Sequence, residues 1–182
     1  MEQVLTFNTF NCLCGAGIAQ SLFSLVPKNK KPIFICIGSD LVLGDSLGPL
    51  VGTTLRKNKV SSYVYGTLSY PITAKEIEYA KNNLKTMHKD GFIIAVDAAV
   101  GKAEDVGLIR VYNKGLKPGL GVNKDLGLIG DLSIIGVVAS KGLRNYNLYN
   151  ATRLNLVYKM AERISSGIIG YLNGIEKQNQ AI

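Results

Sequence analysis

Ile37-Gly38-Ser39-Asp40-Leu41-Val42-Leu43-Gly44-Asp45-Ser46-Leu47-Gly48-Pro49 holds the clearest change of structure in this chain. The apolar run Pro32 to Ile37 stops at a glycine, crosses a polar loop and restarts at Ser-Leu-Gly-Pro. That order predicts a strand, a loop and a helix, and in open α/β sheets the carboxyl edge of a strand is where sites are built. Two carboxylates, Asp40 and Asp45, lie in the loop, which glycine allows to bend tightly. A second apolar run, Phe92 to Val96, ends on Asp97, with Ala98 and Ala99 behind it. Asp45 and Asp97 are the candidate acid/base pair.

On either side of these runs the elements alternate. Phe10, Leu13, Cys14, Leu22 and Phe23 recur with helical spacing between Phe7 and Val26, so residues 1–30 read as a helical lead-in closed by Pro27. A helix is expected from Ser46 to Lys57, with Pro49 tolerated in its first turn. Ser61 to Thr67 reads as a strand, and Thr73-Ala74-Lys75-Glu76 is a capping-box pattern starting a helix that runs to Lys85. Further strands are expected at Phe92–Val96, Gly107–Asn113 and Ser133–Ala139, with a glycine-rich passage at Gly115–Asp131 between the last two. Leu148, Leu154, Leu156, Val157, Met160, Ile164, Ile168 and Leu172 describe a long closing helix, and Glu176–Ile182 reads as a flexible tail. Strands alternating with helices predict a single α/β domain over residues 1–182. It would be three-layered, with a mostly parallel twisted sheet and helices on both faces.

Composition narrows the function. An apolar content of 47% with 19% charged residues argues for a folded globular chain and against disorder. The formal charge of +8 draws a protein toward anions, but the basic residues are scattered and no aromatic stripe is interleaved with them. Direct nucleic-acid binding is therefore not expected. Early Glu2, the absence of Lys or Arg before Lys28 and the polar interruptions argue against a signal peptide. No run approaches the ~20 apolar residues that span a bilayer. Cys12, Cys14 and Cys36 fit a reducing cytosol better than a disulfide framework, and the expected location is cytoplasmic.

The residue types leave several chemistries open. Two aspartates held together cannot both ionise cheaply, so one deprotonates water while the other protonates a carbonyl oxygen. The same pair could instead ligate a divalent cation. Asp45 could equally be an N-cap, and Asp97 could cap the turn after its strand. Gly119-x-Gly121 is a poor dinucleotide fingerprint, although its loop could cradle a phosphate. His88 is the single histidine, placed between Lys and Asp residues on what reads as a solvated turn. No nucleophile elbow accompanies it, which argues against a catalytic triad.

Ile37 to Asp40 with Gly44-Asp45-Ser46-Leu47-Gly48-Pro49 resembles the first site loop of the spore germination protease family. Ile94-Ala95-Val96-Asp97-Ala98 resembles that family's later strand ending in Asp-Ala, and Gly115 to Asn123 its glycine-rich loop. The order and spacing are similar to the short sporulation-protein relatives of the protease, the YyaC type, over about Pro32 to Met160. This resemblance implies the phosphorylase/hydrolase-like fold shared with hydrogenase maturation proteases. It also implies a two-aspartate site at Asp45 and Asp97 working without a cofactor or metal, and a spore-forming bacterium as the source. The implied substrates are small acid-soluble spore proteins, or another sporulation polypeptide. Hydrogenase maturation proteases add a histidine and sense nickel; His88 lies outside the corresponding loop, which argues against nickel sensing here.

The leading expectation is an aspartate-dependent endopeptidase. Ser39, Asp40, Gly44, Gly119, Gly121 and Asp131 are its candidate substrate-binding positions, because the glycine loops would shape a peptide groove. The alternative is a non-catalytic sporulation factor that keeps the fold and binds a polypeptide. A third possibility is a small-molecule or nucleotide binder at the sheet edge. The long apolar carboxyl-terminal helix leaves room for a homo-oligomer.

Overall fold

The computed structural model describes residues 3–118, 127–140 and 152–180. Its core is a six-stranded sheet built from β1 (Val4–Asn8), β2 (Lys31–Cys36), β3 (Tyr63–Tyr65), β4 (Gly91–Gly101), β5 (Leu108–Tyr112) and β6 (Leu132–Ser140). The spatial order is β1-β5-β6-β4-β2-β3. Strands β3, β2, β4 and β6 run parallel, β5 is antiparallel to β6, and β1 is antiparallel to β5. The expected mixed α/β class and mostly parallel sheet are what the chain forms.

Helices α1 (Cys14–Leu25), α2 (Leu47–Lys57), α3 (Ile77–Met87) and α4 (Leu154–Gln180) cover the sheet. Strand parity shows why both faces need cover. Phe34 and Cys36 of β2 point into a core shared with α1, α2 and α4, while Ile33, Ile35 and Ile37 point into a second core with Ile77 and Leu84 of α3. On α4 the buried positions Val157, Met160, Ala161, Ile164, Ile168 and Leu172 recur every three or four residues, one stripe against the sheet side. At its far end Tyr171 packs edge-on against Phe23 of α1, ring centroids 5.0 Å apart.

Two expectations are corrected at the ends. The lead-in contains a strand before its helix: Leu5 and Phe7 are half-buried and alternate with exposed Val4, Thr6 and Asn8, the period of an edge strand. The tail positions Glu176 to Gln180 continue α4 as exposed helix. Leu148, expected at the start of this helix, lies outside the described residues. No helix among the described residues is long and apolar enough to cross a membrane.

Topology fixes where a site can form. The chain leaves β2 through α2 to reach β3 on one side, then returns through α3 to β4 on the other side of β2. The two connections part above the carboxyl ends of β2 and β4, leaving a crevice that neither covers.

Candidate active site

Asp97 owes its position to register. β2 pairs with β4 as far as Cys36 opposite Val96, whereas β4 continues to Gly101 against β6, with Asp97 opposite Ile135. Asp97 is thus the first residue of β4 past the end of β2. Parity with Ile93 and Ala95 turns it toward the α3 side of the sheet. It does not cap a turn, as one reading of the sequence allowed, because the strand runs on through it.

Asp45 arrives from the other wall. After Ile37 the chain turns off β2 at Gly38, whose N–H donates to the Ile72 carbonyl at 2.9 Å. The loop then closes on itself where the Ser39 N–H donates to the Asp45 carbonyl at 3.1 Å. Gly38 has φ +140°, and a Cβ there would collide with the Asp45 carbonyl oxygen. A short 3₁₀ turn, Leu43–Ser46, carries Asp45 into the cleft and leads directly into α2. Ser46 is the N-cap residue of α2, so Asp45 is not the cap either.

Asp45 and Asp97 face one cleft of about 140 Å³. Its apolar walls come from Ile37, Ala74, Ile77, Leu116 and Ile135, and Lys117 lines it as well. Burial pushes the Asp97 carboxyl up to about 8; the Ala98 N–H, donating to Oδ1 at 2.8 Å, opposes this, and the neighbouring Asp45 charge adds to it. Burial also raises Asp45, against the pull of the Ser39 backbone N–H. Two carboxyls with raised affinity for protons in one apolar cleft can hold a single proton between them at neutral pH.

Other expected site residues lie elsewhere. Asp40 is exposed, Ser39 is half-buried with its Oγ accepting the Leu41 N–H at 3.2 Å, and Gly44 is buried beneath the loop; none lines the cleft. Asp131 is a clear correction. Its Oδ2 accepts the Ile93 N–H at 2.8 Å, and its own N–H donates to the Ile93 carbonyl at 2.7 Å. It therefore ties the amino end of β6 to β4, at the opposite edge of the sheet from Asp97. Gly119 and Gly121 lie outside the described residues, but the neck of their passage is formed, with Leu116 and Ile129 exchanging N–H···O bonds of 3.0 and 2.9 Å.

His88 is not simply solvated. The Tyr65 hydroxyl and His88 Nε2 are hydrogen-bonded at 2.7 Å, and the Tyr63 ring lies 4.5 Å from the imidazole, all at the amino edge. Among the described residues no third His, Cys, Asp or Glu joins the two aspartates in a metal-binding group. The sequence reading missed Ala74, Ile77, Leu116 and Ile135 as walls. Only Ile135 had a readable signal, since it stands opposite Asp97 once β4 and β6 are paired in register.

Comparison with known proteins agrees with this architecture. Residues 12–167 match the family described as "Protein of unknown function (DUF1256)". The Bacillus subtilis protein named "Uncharacterized protein YyaC" is 45% identical over 140 residues, which is 76% of this chain and 68% of that protein. Among solved structures, a [NiFe] hydrogenase maturation protease, HycI from Thermococcus kodakarensis, superposes with a TM-score of 0.53 at 17% identity. The superposition covers 84% of this chain and 99% of HycI, so the fold is shared.

Proposed function

We propose, for a chain that belongs to the DUF1256 family, that the cleft is the active centre of an endopeptidase in which Asp45 and Asp97 share one proton. The observation that carries this reading is the convergence of the two carboxyls, one from the turn after β2 and one from strand β4, on one apolar-walled cleft where each is raised. The fold shared with a maturation protease supports it at the level of architecture.

The chemistry follows from burial. Asp97, the more deeply buried and pushed up to about 8, holds the proton at neutral pH, and Asp45, raised as well but partly exposed, takes the part of the base. Asp45 takes a proton from water as the water oxygen attacks the peptide carbonyl carbon. Asp97 gives its proton to the carbonyl oxygen, leaving a tetrahedral diol. When the diol collapses, one hydroxyl proton returns to Asp97, the proton on Asp45 passes to the leaving nitrogen, and the C–N bond breaks. The pair ends as it began. The proposed substrates are small acid-soluble spore proteins or another sporulation polypeptide.

The test is incubation of the full chain with purified small acid-soluble spore proteins at pH 5 and pH 7, with fragments read by mass spectrometry. Asp45→Asn and Asp97→Asn are each expected to lower the cleavage rate by a factor of about 10² or more. Undiminished cleavage by the double variant would overturn the mechanism. No cleavage by any form would leave a polypeptide-binding factor as the better reading of the same cleft.

A further inference from the structure

The positive charge of this protein is unevenly spread along the chain. Lys28 and Lys30 precede β2 and Lys31 opens it, while Arg56, Lys57 and Lys59 form the last turn of α2 and the loop into β3. Lys85 and Lys89 flank the end of α3, on the way into β4. These three segments, 28–31, 56–59 and 85–89, contain no acidic residue, and the rest of the chain balances at 13 basic against 13 acidic side chains. Scattered in sequence, they meet in space. Helices α2 and α3 start at the carboxyl edge and return to the amino edge, and β3, β2 and β4 are neighbours in the sheet. All three basic segments are therefore entry turns of adjacent strands.

Helix ends account for part of this charge, since cations in a last turn complement the helix dipole. Arg56, Lys57 and Lys85 fall in that class, and Arg56 also donates to the Val64 carbonyl at 2.9 Å. The other five lie outside any helix. One of them, Lys30, is 3.8 Å from Asp90, the first carboxylate beyond the basic segments. Lys28, Lys31, Lys59 and Lys89 are exposed, and the ring of half-exposed Tyr63 lies 4.8 Å beneath the Lys31 ammonium.

The surface is furrowed. One cleft of about 460 Å³ is bordered by Lys31, His88, Lys89 and the carboxylate of Asp90, and a second of about 270 Å³ by Arg56, Lys59 and Tyr63. Tyr63 touches Lys31 and His88 of the first cleft, so the two lie side by side with its ring between them. Cations lining furrows can meet a thread of phosphates that enters them, whereas a flat lipid surface would meet only the rims. Tyr63 and Met87 are the exposed large apolar side chains of these clefts and their entry turns, too few to form an inserting face.

We propose that the amino edge of β3, β2 and β4 binds nucleic acid through its phosphate backbone, without sequence preference. This surface is opposite the Asp45–Asp97 cleft and independent of the peptidase reading.

The test is fluorescence anisotropy of a labelled 20-base-pair duplex of arbitrary sequence, titrated with the full chain from 50 to 200 mM salt. Binding is expected to weaken with salt, with a log–log slope of about −3 or steeper. The triple variant Lys31→Glu/Lys59→Glu/Lys89→Glu should lose affinity by tenfold or more and flatten the slope by about 2–3. The control Lys75→Glu/Lys102→Glu/Lys159→Glu carries the same charge change away from this edge and should bind within threefold of the parent. Equal loss in both variants, or no binding at 50 mM salt, overturns the proposal. Tighter binding to phosphatidylserine vesicles than to the duplex also overturns it, in favour of a membrane surface. Melting curves establish that the variants fold, and the Lys→Gln triple carries the same test if the Glu triple does not.

Discussion

The Ile37 N–H donates to the Val96 carbonyl at 2.8 Å, and with that bond the pairing of β2 and β4 closes. One residue later the strands part: β2 turns away at Gly38, while β4 continues through Asp97. The acidic cleft exists because two parallel strands end at different heights. Neither carboxyl could stay at this depth if β2 continued, since its next residues would fill the space.

Asp97 makes stability fall as pH rises. Its unfolded carboxyl titrates near 3.8 and its folded one near 8. Below pH 4 both states are protonated and the group contributes no difference. Between 4 and 8 the unfolded chain releases its proton while the folded chain keeps it, so the unfolded state gains ground; above 8 the loss levels off. The melting temperature of the parent should decline from pH 5 to pH 8. Asp97→Asn should flatten that decline and melt higher than the parent at pH 8. A parent curve that rises over the same interval would contradict the buried, proton-holding carboxyl.

The loop that delivers Asp45 depends on two glycines. A Cβ on Gly48 would collide with the Ile37 carbonyl oxygen, and one on Gly38 with the Asp45 carbonyl oxygen. Backbone cannot step aside as a flexible side chain can. Gly38→Ala and Gly48→Ala should each cost on the order of 1–3 kcal/mol or more in urea unfolding. Gly170→Ala makes the contrast. That position is exposed on α4, with the Ala19 Cβ at an ordinary 3.8 Å, and the change should add roughly 0.5–1 kcal/mol of stability through helix propensity.

The thiols should separate by burial. Cys12 is exposed, Cys14 is buried with its thiol raised, and Cys36 lies in β2 with burial pushing it up to about 12. A thiolate is the reactive form, so the native protein should titrate one thiol rapidly with Ellman's reagent and three in denaturant. Rapid reaction of Cys36 in native protein would mean that β2 opens far more often than its packing between two cores implies.

Much of this was legible in the residues, for identifiable reasons. Strands β2 and β4 are buried on both faces, so they read as unbroken apolar runs, and an aspartate at the end of such a run stands out. Strand β1 was not legible, because Phe7 and Phe10 fit the start of a helical pattern as well as an edge strand. Its partner β5 lies more than a hundred residues away in the chain. The apolar cleft walls were invisible for a related reason: Ile77 and Leu116 adjoin Asp97 only after the crossovers are closed. The basic edge is the strongest case. Three short lysine-bearing turns look unremarkable in the sequence, and only strand order places them side by side.

Asp131 provides a test that keeps the two edges of the sheet apart. It ends a glycine-bounded loop, as Asp40 does, and from sequence alone it is, with Asp40, a candidate substrate-binding position behind Asp45 and Asp97. Its carboxylate instead accepts the Ile93 N–H at the entrance to β4, while Asp97 lies four residues further along that strand. At 3.3 Å per residue the two sites are about 13 Å apart along the strand, too far for Asp131 to touch a peptide held by Asp97. Asp131→Ala should therefore destabilise the fold by about 1 kcal/mol through the unpaired Ile93 donor. It should leave the rate of any Asp97-dependent cleavage unchanged at a temperature where the variant is folded. A variant that is fully stable but has lost cleavage would mean that the working site lies at the amino edge, and the role assigned to the Asp45–Asp97 cleft would fail with it.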